Sequence, residues 1–336
     1  MVYYRDEEWE NMGKSLKKLT KKSARDYRLL EPGWAGELED DQVAYIRTAL
    51  HDDPDLAYLW GFKRSAKRFN SDIIRRVALK GDANLNVIRT PTSSTCVGRF
   101  RVDMDPWTDN RVRMAVKKCQ NRQKILDNIY LGQGDIGFDN HAAPSHPEFA
   151  PMDYIPYDPR GAKVLLQEAG ISNLSFDVAV GTGWSDIVAF AETLQEDAKA
   201  AGISVTLDTM PNSSYWDAWT DVAVGITPWA HRPLAVMVLP LAYIADSDGK
   251  PVPWNESRWV DEEFSTLLRK ARGTYDVEAR RAIMTDIQRI QSERGSVLIS
   301  FFKPVFRAYT KNVRGASGHP QHYNSEWRAV WIEPSR

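Results

Sequence analysis

Apolar positions recur at two spacings along this chain, and the two kinds of segment alternate. From Asp40 to Leu50, Val43, Ile46 and Leu50 fall at helical spacing behind Asp40 or Asp41 as a cap, which predicts a helix. Ile73 to Val77 fits a short strand or a helix equally well. The stretch from Arg99 to Leu131 reads as a strand, a tight Pro-containing turn and a helix opened by Asp109 or Asn110. In that helix Val112, Val116, Cys119 and Leu126 line one side, and Ala115, Ile125 and Ile129 broaden the stripe. Asp158 with Pro159 predicts the start of another helix, and Gly170 its stop.

The clearest local architecture follows. Ser175–Val180 alternates as a strand, Ser185–Ala201 is an amphipathic helix built on Ile187, Phe190, Ala191, Leu194 and Ala198, and Gly202 ends it. Ser204–Met210 is a second strand. Strand, crossover helix and strand make a βαβ unit, which requires parallel pairing and places the chain in the α/β class. Val222–Ile226 is one more apolar strand, followed by an atypical segment from Thr227 to Tyr243. Two capped helices come next. Asp261 opens the first, with Phe264, Leu267, Leu268 and Ala271 inward; Asp276 opens the second, with Ile283, Ile287 and Ile290 inward and Gly295 at its end. Val297–Phe302 and Val305–Tyr309 are apolar strands split by Lys303-Pro304. Between Ile129 and Asp158 lies a long loop rich in Gly and Pro.

Composition narrows the function. In 336 residues, 44 basic and 45 acidic side chains nearly cancel, which argues against broad capture of nucleic acid. The Lys14–Lys22 run reads as a solvated helical face, because acidic residues flank it. Twelve Trp and thirteen Tyr supply flat amphipathic side chains suited to cores and to small-molecule clefts. Cys96 and Cys119 make neither a disulfide framework nor a metal motif, and Cys119 is expected as a buried thiol. The N-terminus lacks the apolar core of a signal peptide, and no run reaches the length of a membrane span.

Several motifs together resemble one family. P-W-T-D-N-R-V-R-M-A (106–115) with N-R-Q-K-I-L (121–126) is similar to the family 5 solute-binding proteins of ABC importers, the peptide-, dipeptide- and nickel-binding receptors. D-P-R-G-A-K-V-L-L-Q-E-A-G-I (158–171) resembles that family's D-P-x-K-A-K-x-L-L-x-E-A-G motif, and V-I-R-T-P (87–91), the helix pair at 274–290 and K-N-V-R-G-A (311–316) resemble its other segments. The resemblance implies a class II periplasmic-binding-protein-like, two-lobe architecture, with a complete second lobe and a partial first lobe. It divides the chain into a charged segment at 1–37, a first-lobe remnant and crossover at 38–90, the second lobe at 91–300 and a return segment at 301–336. Of the family's usual Gly-Glu-hydrophobic-Asp step after the first helix, Asp55 alone stays recognisable.

The implied function is capture of a peptide or other small polar solute between two lobes and delivery to permease subunits. The implied protein is a monomer in the periplasm or another extracytoplasmic space, with no catalysis, cofactor, metal or nucleic acid. A ligand-sensing domain of a transcription regulator is the alternative, and a hydrolase a weaker one, since neither G-x-S-x-G nor H-E-x-x-H occurs.

Candidate ligand residues follow the strands, where ligands of α/β sheets bind. Peptide-binding members of the family commonly place an acidic D-P pair after the strand matching Val222–Ile226. This chain reads T-P-W-A-H-R-P-L-A (227–235) instead. Arg232 offers a planar fork for an anion, Trp229 a stacking wall or a loop anchor, and His231 a hydrogen bond. Trp184 and Ser185, after G-T-G, read as a possible anion-holding helix start or as a plain turn and cap. His141 and His146 suit loop packing or a ligand-facing imidazole better than a metal, since their spacing is not that of a helical pair. Tyr215, Trp216 and Trp219 sit on a short amphipathic helix, with Tyr215 also a ligand candidate; Arg111 and Arg113 read as structural.

Overall fold

A computed structural model of the chain describes residues 81, 83–321 and 327–333. The helix expected at 40–50, the Ile73–Val77 segment, the Lys14–Lys22 run and Asp55 lie outside the described residues.

The described chain enters through β1 (Leu85–Thr90) and turns into β2 (Thr95–Phe100). Asp109 caps α1 (Asn110–Lys117), its carboxylate accepting the Arg111 amide N–H at 2.8 Å. The single helix expected to continue from there is two helices. The chain breaks at Lys118 to Asn121, and Asn121 caps α2 (Arg122–Tyr130) by accepting the Lys124 N–H. Val112, Ala115, Val116, Cys119, Ile125, Leu126 and Ile129 nonetheless all enter one core, because the break re-aims the apolar stripe. Asn121 restarts the helix by supplying an acceptor for an otherwise orphan first-turn amide.

After β3 (Asp135–Ile136) the long loop leads to α3 (Pro159–Glu168), capped by Asp158 and stopped at Gly170 with φ +75°. The βαβ unit forms as expected: β4 (Ser175–Gly181), α4 (Ser185–Ala198) with a 3₁₀ turn at Lys199–Ala201, then β5 (Ser204–Met210). Gly202 takes the left-handed conformation, φ +74°, that lets the chain reverse out of the helix. β4 and β5 pair in parallel from Ser175↔Ser204 to Gly181↔Met210.

A short α5 (Asn212–Ala218) precedes β6 (Val224–Trp229), which starts and ends later than the sequence suggested and so includes Pro228 and Trp229. Pro228 is tolerated there because β6 has β2 on one side, whereas its ladder with β4 is at Ala179↔Gly225. The segment expected to be atypical holds α6 (Ala235–Ala242). The two capped helices are α7 (Glu262–Arg272) and α8 (Val277–Arg294). The strand expected at Val297–Phe302 is two short pieces, β7 (Val297–Leu298) and β8 (Phe301–Phe302), and the chain leaves through β9 (Val305–Thr310). Short strands β10 (Val313–Arg314) and β11 (Trp331–Ile332) pair with each other.

Among the described residues, the main sheet runs β3-β8-β2-β6-β4-β5, with β7 also on β2. Alternation along its central strands serves two cores. Cys96, Phe100, Val224 and Ile226 face a cluster beneath α1 to α4, and Val97 and Trp229 face one beneath α6 to α8. Each fully buried Ile, Leu or Phe contributes about 1.5–3 kcal/mol. β1 and β9 stand apart as an antiparallel two-stranded ribbon from Leu85↔Thr310 to Thr90↔Val305, so the chain enters and leaves the sheet side by side. No helix of the described residues is long and apolar enough to cross a membrane.

Candidate functional site

The parallel strands β4, β5 and β6 end at Gly181, Met210 and Trp229, and the residues after them share one rim of the sheet. Beyond β6 the chain is held by a compact polar clamp. Ser93, in the turn between ribbon and sheet, donates its hydroxyl to Arg232 O at 2.8 Å and accepts the Arg232 N–H at 2.9 Å. His146 Nδ1 accepts the Ala143 N–H at 2.9 Å, so its Nε2 carries the proton and donates to Arg232 O at 3.0 Å. His231 Nδ1 accepts the Ser93 N–H at 3.1 Å. Three segments distant in sequence thus fix the Arg232 backbone at both its N–H and its carbonyl.

The Arg232 side chain is treated differently. It is half-buried, donates to His231 O at 3.1 Å, and makes no ion pair among the described residues. A guanidinium held at its base with donors left over suits a carboxylate or other anion.

The clamp histidines are neutral. Burial pushes His146 and His231 down to about 4, and the positive charge of Arg232 presses on His231 in the same direction. Burial, with His146 and Arg232 nearby, pushes His141 down to about 3. His141 Nδ1 lies 3.0 Å from Tyr243 Oη, and its ring meets Trp229 edge-on at 5.1 Å.

Beneath Trp229 lies a second polar network. Trp229 Nε1 donates to Glu256 Oε1 at 3.0 Å, and the Thr227 hydroxyl donates to Glu256 Oε2. Arg99, fully buried, faces the same carboxylate at 3.3 Å and donates to Val222 O at 2.6 Å and to Trp219 O. Tyr215 closes the network, its hydroxyl 2.7 Å from Thr227 Oγ1. Gly225 permits this crowding, since a Cβ there would sit 3.1 Å from Arg99 and 3.3 Å from the Tyr215 hydroxyl. Burial pushes the Glu256 carboxyl up, opposed by Arg99 and its hydrogen bonds.

The candidate residues therefore fall into two joined groups. Arg232, His231 and His146 meet around Ser93. Trp229 meets His141 edge-on, and Tyr215, linked to Trp229 through Thr227 and Glu256, meets Trp184 edge-on at 5.7 Å. Trp216 continues these contacts, 5.4 Å from both Trp184 and Trp219. Ser185 is exposed in the first turn of α4 and joins neither group. The amides of Thr182, Gly183 and Trp184 are occupied by Met210 O, Asn212 Oδ1 and Gly181 O, and Asp186 Oδ1 accepts the Ile187 N–H. Trp184 is the N-cap of α4 and makes no side-chain cap hydrogen bond. Asp186 also accepts from Cys96 and Tyr130 and pairs with Lys303. Arg111 and Arg113 serve structure: Arg111 pairs with Asp109, and Arg113 donates to Trp107 O and Arg294 O.

Sequence reasoning missed Ser93, Tyr243, Glu256 and Trp254. Ser93 follows the V-I-R-T-P strand without a motif of its own, and Glu256 is one acid in N-E-S-R-W; neither has a spacing that points to Trp229 or Arg232. Among the described residues no group of three or more His, Cys, Asp or Glu is placed to hold a metal ion.

An α/β lobe with a polar cluster at its strand ends, entered and left through one ribbon, has the fold of periplasmic binding proteins. The chain belongs to the bacterial extracellular solute-binding proteins of family 5, whose middle-region model matches residues 70–238. It is 28% identical over 265 residues to di/tripeptide-binding protein 2 of Pseudomonas aeruginosa (strain UCBPP-PA14), covering 71% of this chain and 46% of that protein. It is 26% identical over 262 residues to the dipeptide-binding protein of Escherichia coli (strain K12), with 73% and 46% covered. The chain thus spans about half the length of the curated relatives it matches. Among solved structures, HbpA2 of Haemophilus parasuis superposes with TM-score 0.67 at 19% identity, over 78% of this chain and 53% of that one. DppA of Helicobacter pylori in complex with peptide STSA superposes with TM-score 0.66 at 17% identity, over 78% and 52%.

Proposed function

We propose that this chain is the substrate-binding component of an ABC importer, capturing a small polar solute with an anionic group, a peptide or another solute of that kind. The observation that carries this reading is Arg232: its backbone is clamped by Ser93 and His146 at the end of β6, while its guanidinium makes no ion pair among the described residues. Trp229, buried at the end of β6, anchors the segment that carries Arg232. In this reading the β1/β9 ribbon is the hinge, 91–300 the second lobe, 38–90 and 301–336 the parts that belong with a first lobe, and closure traps the solute. The closed form docks on permease subunits in an extracytoplasmic space, as a monomer. Relatives named for dipeptides and tripeptides support a peptide as the first class of ligand to try.

A thermal-shift screen of di- and tripeptides, amino-acid derivatives and other small anions tests the proposal. Saturable stabilisation by a carboxylate-bearing solute, lost on Arg232→Ala and not on substitution of the remote Arg289, is the expected result. A complete absence of saturable shifts across the screen, or shifts indifferent to Arg232, sinks it.

A further inference from the structure

Trp254 is 47% exposed, yet the turn that carries it is among the more rigidly built parts of the molecule. The three residues after it, Asn255, Glu256 and Ser257, are buried. Asn255 donates its amide N–H to Val252 O at 2.8 Å and its side-chain amide to Trp259 O at 2.8 Å. Ser257 Oγ donates to Asn255 Oδ1 at 3.1 Å. The Glu256 N–H donates to Trp254 O at 2.9 Å, while the Glu256 carboxylate holds the indole of Trp229. One buried residue therefore ties both positions, its backbone N–H bonding the Trp254 carbonyl and its carboxylate the Trp229 indole. The two rings meet edge-to-face, centroids 6.0 Å apart at 75°.

Keeping a large indole half in water on a fixed turn forfeits the stabilisation that burying it would give. The exposed Trp254 indole, braced edge-on by the buried Trp229, offers a flat face with little side-chain freedom left to lose on binding. Trp229 ends β6 three residues before Arg232, so the Trp254–Trp229 pair stands on the segment that leads into the proposed anion site.

We propose that Trp254 is a specificity-determining residue, which, braced from behind by Trp229, selects solutes carrying an aromatic group beside the anion. Glu256 holds the Trp229 ring against which Trp254 rests. The inference rests on the ligand site proposed above and adds the class of side chain it prefers.

Calorimetric titration of the full chain with Ala-Phe and Ala-Ala tests it, using the wild type, Trp254→Ala and Trp254→Phe. Ala-Phe is expected to bind the wild type more tightly than Ala-Ala. Trp254→Ala is expected to weaken Ala-Phe by roughly tenfold and Ala-Ala by less than about twofold. Trp254→Phe, which keeps an aromatic face, is expected to recover most of the loss; it also guards against misfolding of the alanine variant. Equal weakening of both dipeptides, or no weakening of Ala-Phe, overturns the inference and leaves the ligand site standing. Failure of both dipeptides to bind the wild type overturns the inference, while the broader screen above still decides the site itself.

Discussion

The indole of Trp229 donates its N–H to a carboxylate oxygen of Glu256, 3.0 Å away and 27 residues later in the chain. That single bond joins the end of β6 to the turn before α7, and through Glu256 it reaches the buried guanidinium of Arg99. Removing the carboxylate leaves a buried positive charge without its counter-ion. Glu256→Ala is expected to destabilise the fold by about 3–5 kcal/mol, and Glu256→Gln by less because the amide still accepts from the indole. Urea unfolding followed by tryptophan fluorescence measures both. A loss under about 1 kcal/mol for Glu256→Ala would show that Arg99 is satisfied by the carbonyls of Val222 and Trp219 alone.

Arg232 presents the opposite balance. Its backbone is clamped, but its side chain contributes one hydrogen bond to a neighbouring carbonyl. Arg232→Ala is expected to change stability by no more than about 0.5 kcal/mol. The same variant is expected to weaken a carboxylate-bearing ligand by roughly ten- to a hundredfold, as loss of a charge-assisted hydrogen bond does. Denaturation and titration on one preparation separate the two effects.

Acid should loosen the clamp before the rest of the fold. His146 is held neutral in the folded chain, near 4 against 6.5 for a free imidazole, so between these values the unfolded chain binds more protons. Stability is therefore full above about pH 6.5 and falls as pH drops toward 4. Each such histidine adds a slope of about 1.4 kcal/mol per pH unit inside that window. His146→Gln, whose amide can still donate to Arg232 O, should flatten the melting-temperature profile between pH 6.5 and 4.5. An unchanged slope would assign the acid sensitivity to His141 and His231 instead.

Both cysteines are free and buried, and burial pushes both thiols up, Cys119 to about 12. For Cys96 the Asp186 carboxylate adds to the effect of burial. Thiolate is the reactive form, so the native chain should resist a thiol-specific disulfide reagent at pH 8 and release two equivalents on denaturation. Reaction of either thiol at native stability would mean that the sheet opens locally at β2 or at the break after α1.

Much of the fold was legible in local patterns. The caps at Asp109, Asp158, Asp261 and Asp276 act within two or three residues of themselves, each accepting an amide N–H of the turn it opens. The βαβ unit at 175–210 was readable because its strands alternate, its helix is amphipathic and Gly202 ends it. The break after Lys117 was not, since Cys119 keeps the apolar stripe continuous and Asn121 is an ordinary helix residue until its side chain turns to cap. β6 ran three residues beyond the apolar segment because a strand's end is set by its partner β2, Thr95 facing Trp229, more than by its own hydrophobicity.

The chain's own sequence determined the class of fold and the ends of most helices, because hydrophobic period and capping are rules of near neighbours, and it singled out the segment from Trp229 to Arg232 as a candidate. Only the tertiary structure decided what surrounds that segment. Ser93 meets His231 across 138 positions, and Arg99 meets Glu256 across 157. Nothing local marks such pairs. They form because buried polar groups must find partners, and the sheet order brings those partners together.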